Sequence, residues 1–118
     1  MKTKIANIEH VIEKGFEKCR KFNKVIVAIG RYEEDDSENN IINIIPIKNK
    51  GSVHSKSTLI ETSIKDVRDV AELAIYCLLK SKLKFKSVSM ENMDGSKVDV
   101  NNPKASIRLD VIIKEDKS

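Results

Sequence analysis

The sequence predicts a two-layer α/β sandwich, with two helices on one face of a small mixed sheet. Three observations carry that expectation. Ile5, Ile8, Ile12, Phe16, Cys19 and Phe22 recur at spacings of three and four, as do Ile64, Val67, Ala71, Ala74, Ile75 and Leu78. Each set is the apolar stripe of an amphipathic helix. Between and after them lie four apolar stretches of strand length. The order is therefore helix, strand, strand, helix, strand, strand, interrupted only by Pro46 and Pro103, with no interdomain linker. A chain of 118 residues, 40% of them hydrophobic, has material for a single domain with one modest core.

Each element has a local cause. In the first helix, Glu9, Glu13, Lys14, Glu17 and Lys18 lie off the stripe, and Gly15 weakens the middle or admits a close neighbour. "KVIVAIG" is nearly continuous in apolar residues, the pattern of a strand covered on both faces, and Gly30 ends it. The stretch Tyr32 to Asn40 then carries Glu33, Glu34, Asp35, Asp36 and Glu38 without a base. "IINIIPI" is a second strand; Pro46 cannot donate to a ladder and places it at a sheet edge, or ends it. "KNKGSVHSKS" is a polar, basic loop. Ser63 is the expected cap of the second helix, with Asp66 three residues on, and Lys80 and Lys82 suit its C-terminal end. A third strand falls within Leu83 to Met90, but Leu83 and Phe85 have the opposite parity to Val88 and Met90. Either the strand starts late or a bulge resets it. "ENMDGSKVDVNNPKA" forms a long hairpin tip. In the last strand, Ser106 to Lys114, Ile107, Leu109, Val111 and Ile113 alternate with polar residues; Ile112 breaks the polar face and calls for a partner over it.

Several function classes find no support. Cys19 and Cys77 are too few for a disulfide framework and lack zinc spacing; both fall on apolar helix faces as small hydrophobes. No apolar run approaches the roughly 20 residues of a membrane span. The opening "MKTKIANIEHVIEK" is too charged for a secretory signal, so an intracellular protein, cytoplasmic or nuclear, is expected. His54 lies among Ser52, Ser55, Ser57 and Thr58, but a nucleophile and base need an orienting third group, and none is identifiable. His10, beside the first helix's stripe, reads as structural or exposed. The clustered acids lack calcium-loop spacing. A non-enzyme without metal or cofactor is the expectation.

What remains is the chemistry of bases. Lys and Arg number 22 against 18 Asp and Glu, a net charge of +4, and the acidic stretch hides how basic the rest is. Lys48, Lys50 and Lys56 share one loop, Lys97 and Lys104 lie on the hairpin tip, and Lys2, Lys4 and Arg31 fall near element ends. All eight are candidate phosphate contacts, which position a nucleic acid without reading its bases. In so lysine-rich a chain, the same residues also serve solubility.

The helix before "NKVIVAIGR", the helix "DVRDVAELAIYCLLK", and the strand, long hairpin and strand that follow resemble the Alba family. These are small archaeal chromatin proteins, with eukaryotic relatives in ribonuclease P and MRP. The resemblance implies the order strand, helix, strand, helix, strand, strand. Its Gly-Arg turn matches Gly30 and Arg31, its second-helix pattern matches Asp69 to Ala74, and its hairpin matches Asn92 to Ala105. It implies a homodimer or a heterodimer with an Alba-like subunit, binding RNA or DNA with little sequence preference, as part of chromatin or a ribonucleoprotein. Two departures stand out. Only "MKTK" precedes the first helix where the family has a strand, and residues 32–62 form an insertion after the Gly-Arg turn. The alternative is a circularly permuted ferredoxin-like sandwich acting as a protein–protein interaction module. There "IINIIPI" is an integral strand.

Overall fold

The computed structural model describes residues 7–31, 39–48, 52–53, 57–92 and 106–114. Among these residues, two helices and six strands follow one another as α1 (Ile8–Glu17), β1 (Lys24–Gly30), β2 (Asn40–Lys48), β3 (Ser52–Val53), β4 (Thr58–Thr62), α2 (Val67–Lys80), β5 (Ser87–Asn92) and β6 (Ile107–Ile112). They build the expected two-layer arrangement. The sheet runs β3-β2-β1-β6-β5, with β4 also paired to β2.

The expectation of a mixed sheet is corrected: every ladder among the described strands is antiparallel. β4 and β5, the two strands joined through α2, run the same way but lie at opposite sides of the sheet, with β2, β1 and β6 between them. The crossover therefore makes no parallel ladder. The short N-terminal stretch "MKTK" lies outside the described residues.

Strand alternation assigns the two faces. Val25, Val27 and Ile29 of β1 sit beside Ile44 and Ile42 of β2, and beside Val111, Leu109 and Ile107 of β6, all essentially buried. The helices close over them with Ile12 and Phe16 from α1 and Val67, Val70, Ala71, Ala74, Cys77 and Leu78 from α2. Burying a side chain of this size removes it from water for about 1.5–3 kcal/mol each, so this single cluster is the main source of stability.

β2 is internal, not an edge, over Asn40–Ile44, because β1 flanks one side and β4 the other. Pro46 falls between two ladders of the described strands. The Ile47 carbonyl faces β1 and accepts from the Asn23 amide at 3.2 Å, so the backbone nitrogen of the neighbouring Pro46 points away from β1. There β4 has already ended opposite Ile44 and β3 begins opposite Ile47. A missing N–H costs nothing at that point.

The helix ends depart from expectation in one respect. Asn7 caps α1, its side chain accepting from the His10 amide at 3.2 Å. α2 is capped by Asp66 rather than Ser63: its carboxylate accepts from the Arg68 amide at 2.9 Å. Ser63 cannot cap because Thr62 still belongs to β4, and the chain needs the following residues to climb from sheet to helix layer. The Arg68 guanidinium, 3.0 Å from the same carboxylate, holds the Asp66 carboxyl below the usual carboxylate range. The parity conflict after α2 resolves as a late start: β5 begins at Ser87, and Leu83 and Phe85 belong to the irregular link before it.

Gly30 marks a close approach of β1 to the start of β6. A Cβ there would collide with the Ser106 Oγ and lie 3.0 Å from its Cβ. Gly30→Val should therefore lower the thermal midpoint. Adding Ser106→Gly should restore most of the loss, because the second change removes the atoms in conflict. Equal midpoints for the single and double variants, by calorimetry, would show that the clash is not the cause.

Candidate nucleic-acid interface

The strand directions bring bases from four distant segments to one end of the sandwich. β1 starts there and β2 ends there, since Lys24 pairs with Ile47. β6 ends there and β5 starts there, since Ser87 pairs with Ile112. The main chain of Asn23 fastens the group: its amide donates to Ile47, and its carbonyl accepts from Ile113 at 2.8 Å and Lys114 at 3.2 Å. The Lys86 amide adds a bond of 2.7 Å to the Ile112 carbonyl.

Those segments are strongly basic. The turn after α1 supplies Lys18, Arg20 and Lys21, all exposed, and half-buried Lys24. Exposed Lys48 ends β2 and exposed Lys114 follows β6. The link from α2 to β5 reads "SKLKFKS". Leu83 is buried and Phe85 half-buried, so Lys82, Lys84 and Lys86 stand exposed at alternate positions. None of the stretches 18–24, 47–48, 81–87 and 112–114 contains an Asp or Glu. The nearest described acid is Glu17, which accepts from the Lys82 amide at 3.2 Å and lies 3.8 Å from Lys14. Lys80 is otherwise engaged: its Nζ lies 3.6 Å from Glu13, 3.9 Å from Glu9 and 5.2 Å from the centre of the Tyr76 ring.

Of the eight residues expected to touch phosphate, two are described, Lys48 and Arg31, and of these Lys48 lies at this end. Arg31 sits at the other end of β1, half-buried, and its guanidinium donates to the Lys65 carbonyl at 2.7 Å. Beside it, the Asn40 amide nitrogen donates to the Ile64 and Lys65 carbonyls at 2.8 and 3.0 Å. Together they hold the link into α2, so Arg31 has a structural task here. Lys2, Lys4, Lys50, Lys56, Lys97 and Lys104 lie outside the described residues, as does His54. The remaining bases of the basic end escaped the sequence reading. Their signal was two short runs, "KCRKFNK" and "KSKLKFK", each free of acids.

The sheet face turned away from the helices has another character. Ile26, Ala28, Ile41, Ile45 and Ile112 are half-buried there, and Leu59 is 56% exposed. Arg108 crosses this face, 3.3 Å from Glu91 on β5 and 3.3 Å from Asp110 on its own strand, so its charge is met locally.

Neither thiol has the setting of a nucleophile. Cys19 and Cys77 are buried, and burial pushes each up to about 11. A thiolate is the reactive form. Both should resist a thiol reagent at neutral pH in the folded protein and react promptly in denaturant, as a timed colorimetric titration would show. His10 is exposed. Among the described residues, no cluster of three or more His, Cys, Asp or Glu is placed to hold a metal. No described helix is long and apolar enough to cross a membrane.

Comparison with known proteins finds no matching family model, no matching curated protein and no matching solved structure.

Proposed function

We propose that this protein binds nucleic-acid backbones, without catalysis and with little sequence preference, through the basic end of the sandwich. The observation that carries this reading is the convergence of four acid-free segments on one end. So many ammonium and guanidinium groups gathered from segments that carry no acid have few ordinary structural uses. Along a polyphosphate it displaces condensed counterions, which supplies most of non-specific affinity. All but Arg20 are lysines, point charges rather than fixed forks, which suits phosphate contact more than base reading. The resemblance to Alba-like proteins supports the same reading from the sequence side.

The test is fluorescence anisotropy with labelled duplex DNA and RNA over a salt series. Binding that weakens steeply as salt rises, with a similar slope for unrelated sequences, is expected. Absence of binding at low salt would overturn the proposal.

A second reading, an interaction module that docks another protein, has one specific support. Leu59, Ile26, Ile41, Ile45 and Ile112 make the outer sheet face largely apolar. The partner expected over Ile112 would sit there, and a homodimer or an Alba-like heterodimer would use it. The two readings use different surfaces and are compatible.

A further inference from the structure

We propose that a cavity between α1 and the β2–β4 side of the sheet binds a small amphipathic anion, with an apolar body of roughly eight to ten carbons and one carboxylate or phosphate at its end. This goes beyond the nucleic-acid reading and does not rest on it.

The cavity follows from small residues at facing positions. Gly15 of α1 and Cys19 of the turn after it are four residues apart and share a face. Across from them are Ile44 and Pro46 of β2 and Thr58, the first residue of β4. Gly15 lets the helix approach the sheet: a Cβ there would lie 2.8 Å from the Ile44 Cδ1 and 3.4 Å from the Thr58 Cγ2. The β4 ladder stops where Thr58 meets Ile44 and does not extend to Pro46. The short side chains of Cys19, Pro46 and Thr58 leave space between the layers, and Lys18 and Phe22 complete the lining.

The space measures about 240 Å³ and is largely enclosed. An apolar cavity of about 150 Å³ takes up a six-carbon ring, so at the same density this one holds roughly eight to ten carbons. Its walls suit carbon. The Cys19 thiol already donates to the Gly15 carbonyl at 3.4 Å. Among the described residues, the buried side-chain N and O atoms without a partner all lie outside the lining. Left empty, such walls forfeit dispersion contacts. Lys18 sets the sign of the head. It is exposed, and it lines both this cavity and an open hollow shared with Lys14, Glu17, Arg20 and Lys21. Four bases face one acid in that hollow, and Glu17 is already engaged, 3.8 Å from Lys14 and accepting from the Lys82 amide. A molecule with its carbon body in the cavity and its anion in the hollow satisfies both.

Titration calorimetry with straight-chain carboxylates from butanoate to dodecanoate, each below its micelle concentration, tests this. Affinity should rise about fourfold per added methylene, the transfer gain of one CH₂. It should stop rising at roughly eight to ten carbons, where the cavity is full. Octyl phosphate titrated beside octanoate decides which head is preferred. Lys18→Gln should weaken octanoate by roughly two- to fivefold, the worth of one exposed ion pair, and leave octanol unchanged. Thr58→Ile enlarges the wall and should shorten the best chain by about one carbon, the size of the added group, with circular dichroism as before. Affinity that ignores chain length, or keeps rising through dodecanoate, would overturn the proposal. So would an equal effect of Lys18→Gln on octanoate and octanol, or the absence of binding at millimolar octanoate. The chain-length limit and the Lys18→Gln comparison decide the matter even if Thr58→Ile fails to fold.

Discussion

Replacing Lys21, Lys82 and Lys84 together with glutamine should reduce duplex binding at 0.1 M salt by roughly a few hundredfold. It should also flatten the salt dependence by about three contacts. The magnitude follows from counterion release: each phosphate neutralised contributes a slope of about 0.9, or roughly eightfold in affinity at that salt. Three independent contacts multiply. The fold is indifferent to the change, because all three side chains are exposed and their apolar neighbours, Leu83 and Phe85, are retained. Circular dichroism and the thermal midpoint should therefore stay as they were.

Arg31→Gln provides the contrast. It removes the 2.7 Å bond that ties the end of β1 to the link into α2. The midpoint should fall while the salt slope of binding stays unchanged. If Arg31→Gln lowers the slope and the triple lysine variant does not, the interface lies at the other end of the molecule. The binding role would then return to the Gly-Arg turn expected from the sequence.

The two assignments differ because of what a sequence displays. β1 was legible from its nearly continuous apolar run, β6 from its apolar alternation, and α1 and α2 from stripes at helical spacing. The alternation and the stripes are each produced by one covered face. β4 was not legible. In "TLIET" only Ile60 and Thr62 turn inward, too short a period to separate from the loop before it or the helix start after it. Ser63 looked like a cap because nothing local shows that Thr62 is paired to Asn40 across the sheet.

The basic end was less legible still, for a related reason. Polar loops attract notice because lysines are dense in them, as around Lys48 to Lys56. The basic end is instead assembled from strand ends as distant in sequence as Lys18 and Lys114. It becomes visible only when strand direction is known: β1 and β5 must start where β2 and β6 finish. The same directions place Arg31 and Asn39, the described residues on either side of the acidic stretch, at the far end.

Phe16→Ala should be the most damaging single truncation in the core. Phe16 is fully buried and among the largest buried side chains, with Ile12 beside it on α1 and α2 packed alongside. Truncation removes a ring from water-free surroundings and leaves a cavity that the sheet, held by its ladders, cannot collapse into. Such changes cost about 3–5 kcal/mol. With unfolding entropy near 2.1 cal/mol/K per residue over 118 residues, a loss of about 4 kcal/mol lowers the midpoint by about 15 °C. Alanine's better helix propensity returns only about half a kcal/mol of that. Tyr76→Ala removes an aromatic ring of similar size from α2, but Tyr76 is 50% exposed and its ring meets the already paired Lys80. Its loss should cost about 1 kcal/mol or less. The gap between the two variants is the informative quantity. A difference near 3 kcal/mol in denaturant melts places α1 on the sheet with Phe16 as its anchor. Equal, small losses would mean that α1 does not pack there, and Lys18, Arg20 and Lys21 would then have no fixed position beside the strand ends.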